Sequence, residues 1–219
     1  MSIISICTSK GGAGKTTLAE IILGSVVERG YKAAAIDADL NHTLSDWVSN
    51  FSSYPIDAHQ ELDETKLVDL AGSLEKENDL VVIDTAGAAM QATVFAIGCA
   101  DLVLIPVQLS SADVIEAIKT SKLVESASQM TRREIPMRIV YTDFQPFTNI
   151  ADHIENEIEK CNLKTLNTKL KRLVAFKEMT FTGKMPASDP ARSQCAFLLD
   201  ELAKLGALPF IKVGQGAAA

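Results

Sequence analysis

The chain has 219 residues, which suits one large domain with a well-buried core. Apolar residues make up 47% of it, aromatics only 5%, and the formal net charge is −7, an ordinary globular composition that leans towards α/β. Apolar runs such as "LVVI" and "LVLIPV" are far too short to cross a bilayer, and no charged segment followed by an apolar one opens the chain as a secretory signal would. Cys7, Cys99, Cys161 and Cys195 are scattered with no C-x-x-C pair, so a reduced, cytoplasmic protein is expected.

Strand and helix signals alternate along the chain. "SIISICT" (2–8) is a short β-branched apolar run that leads into a glycine-rich turn. "KTTLAEIILGSVVERG" (15–30) has apolar residues at helical spacing, with Gly30 as the stop. "YKAAAID" (31–37) predicts a buried strand, "TLSDWVSNF" (43–51) a short helix capped by Thr43, and "TKLVDLAGSLEKE" (65–77) a third helix. "DLVVIDTAG" (79–87) and "DLVLIPVQL" (101–109) are continuous apolar runs of the kind a parallel strand shows when both its faces are covered. "SSADVIEAIKTSKLVESASQM" (110–130) predicts a long amphipathic helix and "PMRIVYTDF" (136–144) a further strand. A last core helix is predicted with Asp189 as cap and Pro190 at its first position. This grammar predicts a doubly wound, mostly parallel α/β sheet with helices on both faces, one domain over 1–212, and a frayed tail over 213–219.

Between the first strand and the first helix lies "CTSKGGAGKTT". Gly14-Lys15-Thr16 fill the end of the phosphate-loop pattern G-x-x-x-x-G-K-[ST], but Ser9 stands at its first glycine and a second lysine, Lys10, follows. Glycines let successive backbone N–H groups turn inward as an anion nest, and the following helix adds its positive end. Lys15 can reach the β- and γ-phosphates, the Thr16 hydroxyl can ligate Mg2+, and Asp84 ends a parallel strand where a carboxylate can hold the same ion.

"KGGAGKTT" resembles the deviant Walker A motif, KGGxGK[ST]T, of the ParA/MinD group of P-loop ATPases. The resemblance implies that Lys10, Gly11, Gly12, Ala13, Gly14, Lys15, Thr16 and Thr17 bind ATP, with Mg2+ at Thr16 and Asp84. It also implies that Lys10 reaches across a homodimer to the partner's nucleotide, so that ATP closes the dimer and hydrolysis opens it. "AAIDADLNHTLSDW" is similar to the family's switch I, D-x-D-P-Q, so Asp37 and Asp39 match its two acids. By that resemblance Asp39 orients or deprotonates the attacking water, and Lys10, Lys15 and Asp39 form the catalytic set. The alternative for Asp39 is a plain helix-capping acid. Leu40-Asn41 replaces Pro-Gln, which departs from the pattern. Thr85-Ala86-Gly87 resembles switch II. "RIVYTDF" lies where the family contacts adenine but lacks the usual Asn, and its base-binding residues stay open.

Charge is unevenly spread. Residues 159–192 hold eight basic and three acidic residues against the overall −7. "TKLKRLVAFKEMTFTGKMPASDPARS" resembles the stretch with which ParA proteins bind DNA nonspecifically. Lys169, Lys171, Arg172, Lys177, Lys184 and Arg192 are the candidate DNA contacts, and a solvated basic face is the alternative. The segment after Leu205 has little basic-amphipathic character, so no membrane partner is expected. The resemblance implies the short form of ParA: a slow, partner-stimulated, nucleoid-associated ATPase, helped by an adaptor protein, that segregates or positions a DNA or protein cargo. The T-DNA-transfer relatives of ParA share that form. Two alternatives remain, a nucleotide-gated scaffold with weak hydrolysis and a metabolic or redox member of the superfamily. For the redox enzymes paired cysteines are required, and Cys99 stands alone in an apolar helical context that suits core packing.

Overall fold

The computed structural model describes residues 1–87 and 90–212. The predicted tail, 213–219, lies outside the described residues. Six parallel strands form one sheet in the order β3-β2-β4-β1-β5-β6. They are β1 (Ser2–Ile6), β2 (Ala33–Ala38), β3 (Ile56–Gln60), β4 (Leu80–Thr85), β5 (Leu102–Val107) and β6 (Met137–Tyr141). The predicted α/β class is the observed one. β1, β2, β4 and β5 are buried along their whole length, because helices cover both faces. No described helix is long and apolar enough to cross a membrane.

One face carries α1 (Lys15–Glu28), α2 (Thr43–Asp46), α7 (Val174–Thr182) and α8 (Ala191–Lys204), packed through Leu18, Ile22, Leu44, Met179 and Leu198. The other carries α3 (Glu64–Glu77), α4 (Met90–Cys99), α5 (Ser111–Thr131) and α6 (Asn149–Lys160) through Leu67, Ala96, Ile97, Val124 and Ile154. Cys99 is half-buried and packs against the second face. The four cysteines are free thiols.

Three elements lie outside those predicted. β3 is an edge strand whose "IDAHQ" is half exposed and polar, so it has no continuous apolar run. α6 and α7 are also unmarked in the sequence, although Ala151, Ile154 and Ile158 of α6 recur at helical spacing and the Thr148 side chain caps it. α4 is the apolar helix expected around Cys99. The helix predicted over 43–51 divides into α2 and a π-helical turn, Trp47–Phe51. Its N-cap is His42, in the left-handed region with φ 52°, and Thr43 is already helical. The N-cap of α8 is Pro190, so the helix begins at Ala191, one place later than predicted. The Asp189 carboxylate still caps, accepting from the Ser193 N–H at 3.1 Å.

Trp47 ties the π-helical turn to α7. It is 1% exposed, and its indole N–H donates to the Met179 carbonyl at 3.0 Å. Trp47→Phe keeps most of the apolar volume but removes one of two hydrogen bonds to that carbonyl, which also accepts from the Gly183 N–H at 3.0 Å. The lost bond and the space left by the smaller ring should together cost about 1–3 kcal/mol in urea unfolding followed by circular dichroism.

Candidate functional site

The P-loop sits at the carboxyl edge of the sheet, where β1 hands over to α1. Neighbouring strand ends brace it. Gln108, past β5, donates to the Gly12 carbonyl at 2.9 Å, and Thr142, past β6, donates to the Ala13 carbonyl at 2.7 Å. Gly14 has φ +89°, and a Cβ there would lie 3.2 Å from that of Thr142, so a side chain would be both strained and crowded. Gly87, past β4, lies so close that a Cβ would meet the Ser9 carbonyl oxygen at 3.0 Å. α1 begins without a side-chain cap, which leaves its first N–H groups to an anion. Lys15 is 7% exposed and donates to the Lys10 carbonyl at 3.2 Å. Its ammonium is therefore held within the loop, where a phosphate would lie.

Below the loop, register sets the acids. Ile6 pairs with Asp84 and Asp84 with Asp37, so two carboxylates stand side by side on adjacent strands. Asp37 is satisfied: it accepts from the Asp39 N–H at 3.0 Å and the Ser45 N–H at 2.9 Å. Asp84 accepts from the Thr16 hydroxyl at 2.7 Å, while its Oδ1 is buried without a partner. Burial pushes the Asp84 carboxyl up to about 7, and Asp37 and Asp39 push the same way against Thr16 and Lys15. A carboxylate desolvated to this degree, with one oxygen orphaned, fits a cation. Among the described residues no group of three acidic, His or Cys side chains could enclose a metal. Thr16 and Asp84 would supply two oxygens and leave the other positions to water and phosphate, which suits Mg2+.

The Leu40-Asn41 departure in switch I and the Ser9-Lys10 departure from the general phosphate-loop pattern both have local explanations. Asn41 donates through both its backbone N–H and its side chain to Asp39 Oδ1, each at 2.9 Å. It therefore fixes the candidate catalytic acid, while Leu40 is 75% exposed. The Lys10 ammonium pairs with Asp113 Oδ2 at 2.5 Å and lies 3.3 Å from the Ser110 hydroxyl, both at the start of α5. The Ser9 hydroxyl donates to Glu116 on the same helix. Ser110, Asp113 and Glu116 were not singled out from the sequence, and neither were Gln108 and Thr142. For Asp113 the available signal was the S-x-x-D spacing of a helix cap, which points to the helix and not to a lysine about a hundred residues away.

A cleft of about 540 Å3 opens beside the loop, lined by Gly12, Thr17, Asp143, Phe176, Lys171 and Lys177 among others. Two candidate DNA contacts, Lys171 and Lys177, thus border this cleft. Two more are already neutralised. Lys169 pairs with Glu155 and lies over the Phe144 ring, 4.8 Å from its centroid, and Arg172 grips Asp143 with Nε at 2.9 Å from Oδ1 and an Nη at 2.5 Å from Oδ2. Lys184 and Arg192 are exposed.

A family model described as VirC1 protein matches residues 1–188. Protein ParA of Rhizobium radiobacter is 29% identical over 168 residues, covering 73% of this chain and 75% of its own. Protein virC1 of the same organism is 31% identical over 146 residues, 64% of this chain and 63% of its own. Among solved structures, a Cyanothece McdA variant in complex with ATP superposes with TM-score 0.78 at 16% identity, over 94% of this chain and 96% of that one.

Glu20, one helical turn past Thr16, is pushed up to about 8 by burial, with Asp84 adding to the effect. Both acids therefore hold protons more tightly when folded than when unfolded. Their contribution to stability is full below the unfolded values and is lost as pH rises through about 7 to 8. Thermal melts of the nucleotide-free, metal-free protein from about pH 5.5 to about 8.5 should show Tm falling by several degrees. Glu20→Gln should flatten that fall.

Proposed function

The chain belongs to the VirC1 family, within the ParA/MinD superfamily, and from that premise we propose that it is a positioning ATPase of the ParA type. The observation that carries this is the convergence of Lys15, Thr16 and the half-orphaned Asp84 on one P-loop. That constellation has a use only when phosphate and a divalent cation enter it. Magnesium, when bound, neutralises charge on the phosphate oxygens. Gly11 to Thr17 wrap the phosphates with backbone N–H groups, Lys15 supplies a buried ammonium, and Thr16 with Asp84 hold the ion. Asp39, fixed by Asn41, accepts from the attacking water.

Two chains close face to face as an ATP-bound homodimer. In this dimer Lys10 leaves Asp113 for the nucleotide of the partner subunit. A half-buried lysine exchanged between a carboxylate and a phosphate couples dimer closure to nucleotide state. The dimer binds duplex DNA without reading bases, through Lys171, Lys177, Lys184 and Arg192. Lys169 and Arg172, already paired with acids, contribute less. An adaptor protein stimulates hydrolysis and resets the cycle, and the cargo is DNA or a protein assembly. A second reading, a nucleotide-gated scaffold that hydrolyses poorly, is favoured by the double hydrogen bond from Asn41 that occupies Asp39 Oδ1 and leaves Oδ2 alone to accept from water.

Retention on nonspecific duplex DNA, compared between Mg-ATP and Mg-ADP at two salt concentrations, tests the proposal. Retention should require ATP and fall steeply with salt. A dimer that meets about six phosphates would give a log–log slope near −5. Equal or absent retention in both nucleotides would remove DNA from the function. Lys10→Ala should bind ATP, stay monomeric and lose retention. Asp39→Ala should lower ATP turnover by about 10²–10⁴ and trap the DNA-bound dimer. Unchanged turnover would take the catalytic role from Asp39, and wild-type turnover too slow to measure with and without a partner would favour the scaffold.

A further inference from the structure

One buried acid beside the phosphate loop has no part in the roles set out above. Glu20 lies one turn beyond Thr16 on α1, so the two share a helix face, and its side chain leans back towards Thr16. It is 1% exposed, and its Oε2 is buried without a hydrogen-bond partner. Carboxylates are almost never fully buried unless paired. The two loop lysines are engaged elsewhere: Lys15 donates to the Lys10 carbonyl, and Lys10 pairs with Asp113. The charged group that acts on Glu20 is Asp84, which has a buried orphan oxygen of its own. Glu20, Thr16, Thr17, Asn41 and Asp46 help line a cleft of about 340 Å3 between α1 and the switch I segment. The cleft thus reaches from the hydroxyl proposed to hold magnesium to a second unpartnered carboxylate.

That arrangement does not make Glu20 a direct ligand, because no three such side chains among the described residues come close enough to enclose an ion. Magnesium bound between phosphates and one or two protein oxygens keeps several waters. Those waters need hydrogen-bond acceptors, and in a dry site they find few. We propose that Glu20 is an outer-shell carboxylate of the magnesium site, accepting hydrogen bonds from water carried by the ion at Thr16 and Asp84. It is a positioning residue that orients this water on the side facing switch I. The inference rests on the nucleotide-binding reading above.

The test uses Mn2+ as the probe, titrated into the full chain with ADP and followed by the electron paramagnetic resonance of the free ion. Glu20→Gln keeps size and shape but removes the charge and half the acceptors. It should weaken Mn2+ binding about tenfold or more, the usual effect of losing an outer-shell partner. ADP affinity in chelator should stay within about twofold of the unsubstituted chain, whereas structural damage to α1 would lower both. Glu20→Leu should behave alike and serves if the Gln variant does not fold. Mn2+ affinity within about twofold of the unsubstituted protein overturns the inference and leaves the nucleotide site standing. An unsubstituted chain that binds no Mn2+ with ADP overturns both.

Discussion

The parallel pairing of β4 between β1 and β2 is the constraint on which the site depends. Its register aligns Ile6, Asp84 and Asp37 in one row at the carboxyl edge of the sheet. Backbone hydrogen bonding holds that row against the mutual repulsion of the two acids. Asp37 resolves its share internally, by accepting from switch I backbone. Asp84 has a single hydroxyl and burial on every side. The electrostatic stress that the ladder creates is therefore concentrated on one oxygen next to the P-loop. A strand order that separated β2 from β4 would remove the share of that stress owed to Asp37 and leave the larger share, which comes from burial.

The same edge explains why the loop is stiff. Its carbonyls are held by Gln108 and Thr142 from the two strands on the far side of β1, and its backbone rests against Gly87. A cradle braced from both sides spends little ordering entropy when an anion arrives. Lys10 is the exception, tied to a helix by its tip. Its counter-ion Asp113 is 1% exposed in its side chain, so taking the lysine away leaves a buried carboxylate with the Ser110 hydroxyl as its remaining donor, at a free-energy cost. In the proposed dimer that cost makes closure conditional: a partner's nucleotide must attract Lys10 more strongly than Asp113 does.

The architecture was legible in sequence because parallel strands buried on both faces read as unbroken apolar runs. The P-loop was legible because its glycines, lysine and threonine are adjacent in the chain. What sequence hid were contacts between distant segments. Asp113 reads as part of a helix cap until the fold brings Lys10 to it. Glu20 reads as one polar residue in an apolar helix, and only burial beside Asp84 makes it unusual. β3 was missed because an edge strand has no need of a continuous apolar run, and the π-helical turn because π-helices have no distinct period in so short a segment.

Charge counting was the weakest guide for the same reason. An excess of cations in a window says nothing of what the fold sets opposite them. Glu155 and Asp143 come from α6 and from the end of β6, both outside the basic window, and each neutralises one of its cations. Of the six candidates, Lys171 and Lys177 border the cleft beside the P-loop, while Lys184 and Arg192 flank the entry to α8. If DNA follows these four, its track begins at the rim of that cleft. Phosphates of bound nucleotide and of DNA would then act on one electrostatic field within about a Debye length of each other. Nucleotide state would then reach the DNA surface through charge.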